Sequence, residues 1–319
     1  MFISLFSLFV INSTHSLSLP TLTKLPVGIS SYERRLAKTL DIQSSFRTLA
    51  TRSIKSAIDD GVKLIELEFP PLLGGRLTKT QFDDFDNISE LNANSDFTMQ
   101  LVPSFNYAKD EAWVVFPDLK ECNVASETWP GKSFQNCART TIEASLNFLS
   151  PSNYKAPWGS NLVKAVSSDL LGDSQGQSII KSPPGAMFFV QPGNAGPVED
   201  WINIEQISSA LDNEIPCIVV NGALDKLRNG YYARIFFPAL AKTVDRFYSS
   251  FESVFYLKPI ADKGESGFLF RCYPEDWQII KETINEDDDF KVTNEVIHTS
   301  AVRPPYKECI RILLQIQKI

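Results

Sequence analysis

Histidine is nearly absent: the 319 residues hold only His15 and His298. That scarcity excludes mechanisms built on a histidine pair and metal centres rich in imidazole. Cysteine is sparse as well. Cys122, Cys137, Cys217, Cys272 and Cys309 are widely spaced, form no C-x-x-C pair and are odd in number, which argues against zinc modules and a paired disulfide framework. Such usage fits a reducing interior, and Cys217 and Cys272, set in apolar runs, read as small core residues. An excess of positive charge is missing too: 31 Lys and Arg face 38 Asp and Glu, a formal charge of -7, so the chain lacks the global field that draws proteins to nucleic-acid phosphates. No nucleic-acid partner is expected. Nor does any apolar run approach the roughly 18 residues needed to span a bilayer.

What remains is an ordinary globular composition, 43% hydrophobic and 22% charged, with length for one large domain or two modest ones. The N-terminus stands apart. Phe2 to Ile11 is an uncharged, mostly apolar run of signal-peptide length, and Thr14 and Ser16 suit the small-residue positions of a cleavage site; this predicts a signal peptide over residues 1–16. Residues 17–30 contain no acid, are rich in Ser and Thr, and carry Lys24, with Arg34 and Arg35 following. That is transit-peptide composition. The tandem predicts a bipartite presequence leading to a plastid inside extra membranes, with plain secretion or a buried N-terminal strand as the alternatives.

Residues 31–319 are expected to form a single α/β domain. Ser44 or Ser45 can cap a helix in which Phe46, Leu49, Ala50, Ile54, Ala57 and Ile58 share a face, and Gly61 supplies the stop. Val62 to Phe69 reads as a strand ended by Pro70-Pro71. Residues 112–116, 186–190 and 217–220 are short continuous apolar runs, the pattern of parallel strands buried on both faces. Between the last two, Asp200 can cap a helix striped by Trp201, Ile204, Ile207 and Leu211. A further helix, with Pro238 in its first turn, runs through Leu240, Val244, Phe247 and Phe251. Val254 to Leu257 and Gly267 to Phe270 flank a polar turn and suggest a hairpin, Phe290 to Ile297 one more strand, and Pro304-Pro305 the start of a final helix. Residues 150–184, rich in Ser, Gly, Asn and Pro, read as an insertion in which only 162–171 looks helical. The predicted class is α/β: a three-layer, Rossmann-like mixed sheet with a parallel centre and an antiparallel hairpin on the C-terminal side.

Open sheets of this kind bind ligands where their strands end, and the loop Gln191-Pro192-Gly193-Asn194-Ala195-Gly196-Pro197 is the best pocket candidate. Its glycine spacing is not that of a dinucleotide fingerprint, and Glu199 and Asp200 put negative charge where a phosphate would sit. If the strands are parallel, Arg76, Asp118, Asn221 and Asp225 gather at the same edge. The candidate ligand-binding set is therefore Arg76, Asp118, Gly193, Asn194, Gly196, Asn221 and Asp225, although turn caps and salt bridges account for each singly. Gly131-Lys132-Ser133 imitates the end of a phosphate loop, but Ser126 stands where the first glycine belongs and Pro130 removes an amide donor. Asp83, Asp84 and Asp86, and the run 286–289, lack EF-hand spacing and read as acidic loop decoration. No G-x-S-x-G elbow gives His298 a nucleophile to serve. No catalytic residue, metal or cofactor is expected.

Residues 53–61 and 66–72, then 188–194, 216–221, 251–259 and 267–274, together resemble the family called domain of unknown function nineteen ninety-five, over most of residues 45–300. The resemblance implies a plastid protein, because that family is largely confined to cyanobacteria and photosynthetic eukaryotes and includes the low photosystem II accumulation three proteins. It implies no catalytic residue. Two functions compete. One is a non-enzymatic factor in photosystem assembly or maintenance, in the stroma or peripheral to thylakoids, partnered by photosystem subunits or other assembly factors. The other is a nucleotide- or phosphometabolite-binding protein, or an enzyme, using the sheet-edge cleft; its small-molecule ligand is unspecified.

Overall fold

Apolar runs without alternation leave no face for water, so each must be covered on both sides. The computed structural model describes residues 32–70, 84–105, 112–128, 137–149, 182–193, 198–285 and 291–315. The expected signal peptide, transit-like segment, phosphate-loop mimic and most of the 150–184 insertion lie outside the described residues, as do Asp83 and the run 286–289. The described residues fall into two compact units, one drawn from 58–67 and 91–252, the other from 32–57, 68–90 and 253–315.

The first unit is a parallel sheet. Its strands are β1 (Leu64–Glu68), β2 (Ala112–Phe116), β3 (Cys137–Thr141), β4 (Ala186–Val190) and β5 (Cys217–Val220), in the order β3-β2-β4-β5-β1. The helices are α2 (Asp84–Leu101), α3 (Leu119–Thr128), α4 (Ile142–Leu149), α5 (Glu199–Ala210), α6 (Leu224–Arg228) and α7 (Pro238–Arg246). Period-two alternation sends Trp113, Val115, Met187, Phe189, Cys217 and Val219 to one face. There they pack with Ile142 and Leu146 of α4, Trp201, Ile204 and Ile207 of α5, and Leu240 of α7. On the opposite face Phe188 meets Phe105, just beyond α2, with ring centroids 5.4 Å apart.

The second unit is antiparallel. β6 (Glu252–Asp262), β7 (Glu265–Cys272), β8 (Trp277–Asn285) and β9 (Lys291–Ser300) form a meander, with Lys263 and Gly264 both at positive φ in the expected hairpin turn. The final helix α8 (Tyr306–Gln315) lays Cys309 and Leu313 on Tyr256, Ile260, Leu269 and Ile279. Trp277 is flanked by two guanidinium groups, Arg271 at 5.3 Å and Arg303 at 5.2 Å from its ring. α1 (Tyr32–Asp59) brings Phe46 against Phe69 and Phe255, and places Ser53 Oγ 3.0 Å from the Cys272 sulfur.

The α/β class thus holds, with a mostly parallel sheet, antiparallel C-terminal strands and flanking helices. Several local expectations change. Ser44 and Ser45 lie inside α1 instead of capping it, because Glu33, Arg34, Leu36, Ala37 and Lys38 are strong helix formers that carry the helix upstream. Asp200 sits within the first turn of α5, after an N-cap at Val198 that makes no side-chain cap. Phe247 and Phe251 do not extend α7: the chain tightens into a 3-10 turn at Tyr248–Ser250, and Tyr248 Oη donates to the Trp201 carbonyl at 2.7 Å. α7 does begin at Pro238, at N1 where a missing amide costs nothing. All five cysteines are free and buried. Among the described residues no helix is long and apolar enough to cross a membrane.

Candidate functional site

In the first unit the chain leaves β2 for β3 on one side and returns through β4 to β5 on the other. The break in strand order falls between β2 and β4, the position at which open sheets hold ligands. Asp118 follows β2, Gly193 follows β4 and Asn221 follows β5, so three of the predicted residues do reach one sheet edge. Asp225 stands in the first turn of α6, just beyond it. Arg76, Asn194 and Gly196 lie outside the described residues.

Each placed residue has a local job. The Asp118 carboxylate accepts the Glu121 amide at 2.9 Å, a cap on α3. Gly193 adopts φ +75°, and a β-carbon there would lie 2.5 Å from the Trp201 indole nitrogen, so both conformation and space demand glycine. Asn221 is buried at φ +49°, with Gln191 and Ala223 also left-handed at +42° and +50°. Three non-glycine residues in this region at one edge are a concentration of backbone strain. The strain is held by an amide relay: Asn221 Nδ2 donates to Asn94 Oδ1 at 2.6 Å, and Asn94 Nδ2 donates to Gln191 Oε1 at 2.9 Å. All three side chains are buried. The backbone adds to this, since Gln191 N reaches the Val220 carbonyl and Asn221 N the Leu67 carbonyl, both at 2.8 Å.

Toward β2 the edge becomes acidic. Burial, with the Asp118 charge adding, raises the Glu121 carboxyl to about 7 against the opposing pull of Lys120. Burial, with Glu199 and Asp118 adding, raises Asp200 to about 6. The N-terminus of α5, otherwise an anion site, therefore carries its own carboxyl groups. Burial also lifts the Cys122 thiol to about 12, so that sulfur is no nucleophile at neutral pH.

Two charged clamps brace the surrounding helices. Arg228 of α6 donates to Glu66 Oε2 at 2.7 Å, to the Tyr248 carbonyl at 3.2 Å and to the Phe251 carbonyl at 3.1 Å, fixing the turn after α7 to buried Glu66 on β1. On α5, burial would raise Glu205, but hydrogen bonds from Arg246 and Thr243 of α7 hold it below its ordinary value. Among the described residues no group of three His, Cys, Asp or Glu side chains is placed to hold a metal ion.

The family model described as Domain of unknown function (DUF1995) matches residues 44–311. The chain belongs to the DUF1995 family. No curated protein and no solved structure matches it. The DUF1995 match takes in Asn94, Asp118, Glu121, Gln191, Asp200 and Asn221, so the whole edge belongs to the family domain. Sequence reasoning missed Asn94, Gln191 and Glu121 as participants, while it reads Asp200 as negative charge at the place of a phosphate. Only Asn94 carried a hint, being a helix-averse residue in mid-helix, where a side-chain partner elsewhere offsets the poor propensity. Gln191 stood in the loop already singled out, but nothing local marks its left-handed backbone.

Proposed function

We propose that this DUF1995 protein is a non-enzymatic plastid factor that assists the assembly or maintenance of a photosynthetic complex, with photosystem II the first candidate. One observation carries the structural side: the edge where an open sheet would cradle a phosphate is occupied by the chain's own groups. The Asn94 relay bridges the ends of β4 and β5, and carboxyl groups stand at the start of α5. A sheet edge engaged in this way serves as a rigid scaffold, and the predicted presequence and family resemblance supply the compartment. The reading is tested by affinity purification of the tagged chain from intact plastids. Recovery of photosystem subunits or their assembly factors supports it; recovery of the protein outside plastids overturns it.

A second reading, a small-molecule site at the β2/β4 break, draws on the left-handed Gln191, Asn221 and Ala223 and on the raised carboxyls, since strain and shifted titration concentrate at working sites. Its ligand would be cationic or hydroxyl-rich instead of phosphorylated. A ligand at about 100 times its Kd adds about 2.7 kcal/mol of stability, a rise in Tm of several degrees, so a thermal-shift screen of amines, polyols and nucleotides separates the two readings.

A further inference from the structure

The segment between α6 and α7 exposes three large apolar side chains close together: Ile235 is 83% exposed, Phe236 78% and Tyr231 72%. Its backbone is nonetheless well built. The Ala233 carbonyl accepts the amides of Phe236 at 2.9 Å and Phe237 at 3.1 Å, and the Tyr232 ring packs edge-on against Tyr231 and Phe237. Arg234 grips Asp245 of α7 through both terminal guanidinium nitrogens. A turn this well tied has no internal reason to hold Ile235 and Phe236 in water.

The charge around it opposes that of the chain. Residues 224–246, from the start of α6 to the end of α7, contain Lys226, Arg228, Arg234, Lys242 and Arg246 against two acids, Asp225 and Asp245, in a protein of net charge -7. Glu66 and Glu205 neutralise Arg228 and Arg246, while Lys226 and Lys242 stay exposed, Lys226 lying over the Tyr231 ring at 6.0 Å. We propose that the turn 231–237 is a membrane-docking element: Ile235 and Phe236 enter the headgroup boundary of an anionic bilayer, Tyr231 lies at the interface, and Lys226 and Lys242 meet lipid phosphates. Apolar side chains that stand clear of the fold beside aromatic and cationic neighbours match the layered polarity of a lipid surface. In a two-fold contact with a second copy the turn would meet itself, setting Lys226 and Lys242 against their own copies, like charge against like, whereas lipid phosphates supply the opposite charge. The inference goes beyond the assembly reading and rests on none of the sheet-edge residues.

The test places an environment-sensitive NBD label on Ile235→Cys in the full chain, where the five native cysteines are buried. The reporter sits on the turn, so lipid binding by any other part of the chain leaves it unchanged. Vesicles of phosphatidylcholine with about 30% phosphatidylglycerol should blue-shift and brighten the label, whereas phosphatidylcholine alone should not, and Lys226→Glu with Lys242→Glu should weaken apparent binding by about tenfold or more. A label unchanged by every vesicle, including when the chain co-sediments, overturns the proposal. So does equal binding to uncharged vesicles. Brightening without lipid, accompanied by a dimer mass in light scattering, would assign the turn to a second copy instead.

Discussion

Asp200→Asn turns the acidic edge into a measurement. Folding raises the Asp200 carboxyl from 3.8 to about 6, first through burial and then through the charges of Glu199 and Asp118. The folded chain therefore keeps a proton that the unfolded chain releases. Stability from this group is fully present below the unfolded value and is lost as pH rises through about 6. About two pH units at about 1.4 kcal/mol each give a ceiling near 3 kcal/mol, which solvent screening of a partly accessible site reduces to about 1–2 kcal/mol. Asparagine keeps the shape and never ionises.

Urea unfolding of the parent chain and D200N at about pH 4.5 and about pH 7.5 isolates the effect, because titrating groups that do not interact with Asp200 cancel in the comparison. D200N should gain about 1–2 kcal/mol on the parent between the two conditions, a relative rise in Tm of about 2–8 °C, at unchanged m-value. An offset equal at both pH values would show that Asp200 ionises in the fold as freely as in the unfolded chain, and the account of this edge would fail. Glu121→Gln should move stability in the same direction, with its midpoint nearer 7.

Three further outcomes are expected. Arg228→Met should destabilise by about 3 kcal/mol because Glu66 stays buried beside the lost cation, while Glu66→Gln with Arg228→Met should lose less than the two single changes summed; a double-mutant cycle in urea measures the difference. Asn94→Ala should destabilise by about 1–3 kcal/mol, read as a lower urea midpoint, since it removes the two hydrogen bonds that link Gln191 to Asn221 through Asn94. Gly193→Ala should lose about 2–3 kcal/mol, whereas Gly61→Ala, at φ +86° with open space around it, should lose about 1 kcal/mol, so paired thermal melts separate overlap with Trp201 from backbone strain alone.

What the chain discloses in one dimension follows from how each element is covered. β2, β4 and β5 are legible because both faces are buried, which forces near-continuous apolar runs. β3 is buried at every position but Arg139, yet has Arg139, Thr140 and Thr141 in its five residues, so it hides among polar segments. β8 is hidden for another reason: Trp277, Gln278, Ile279 and Ile280 are buried in succession, so both faces are covered there and no period-two signal survives, while the unpaired residue of the register shift, Ile297, lies on β9. The candidate site divides in the same way. Asp118, Gly193 and Asn221 could be placed together because strand ends in a parallel sheet share an edge whatever the side chains. The relay could not, since Asn94 and Asn221 stand 127 residues apart and meet only when α2 lies over the strand ends.

The edge also constrains any ligand. A molecule that displaced the Asn94 relay would exchange hydrogen bonds already made for hydrogen bonds of its own, with little net gain. Affinity would have to come from the carboxyl groups of Glu121 and Asp200, and these attract a cation only once ionised. A cationic ligand would therefore bind more tightly as pH rises from about 6 to about 8, the range in which both groups lose their protons, and its binding would release protons at the lower end. A phosphorylated ligand would follow the reverse course, repelled by the charges that appear. Titration calorimetry in two buffers of different ionisation enthalpy distinguishes these signs. Affinity without pH dependence over that range would place the ligand away from the β2/β4 break altogether.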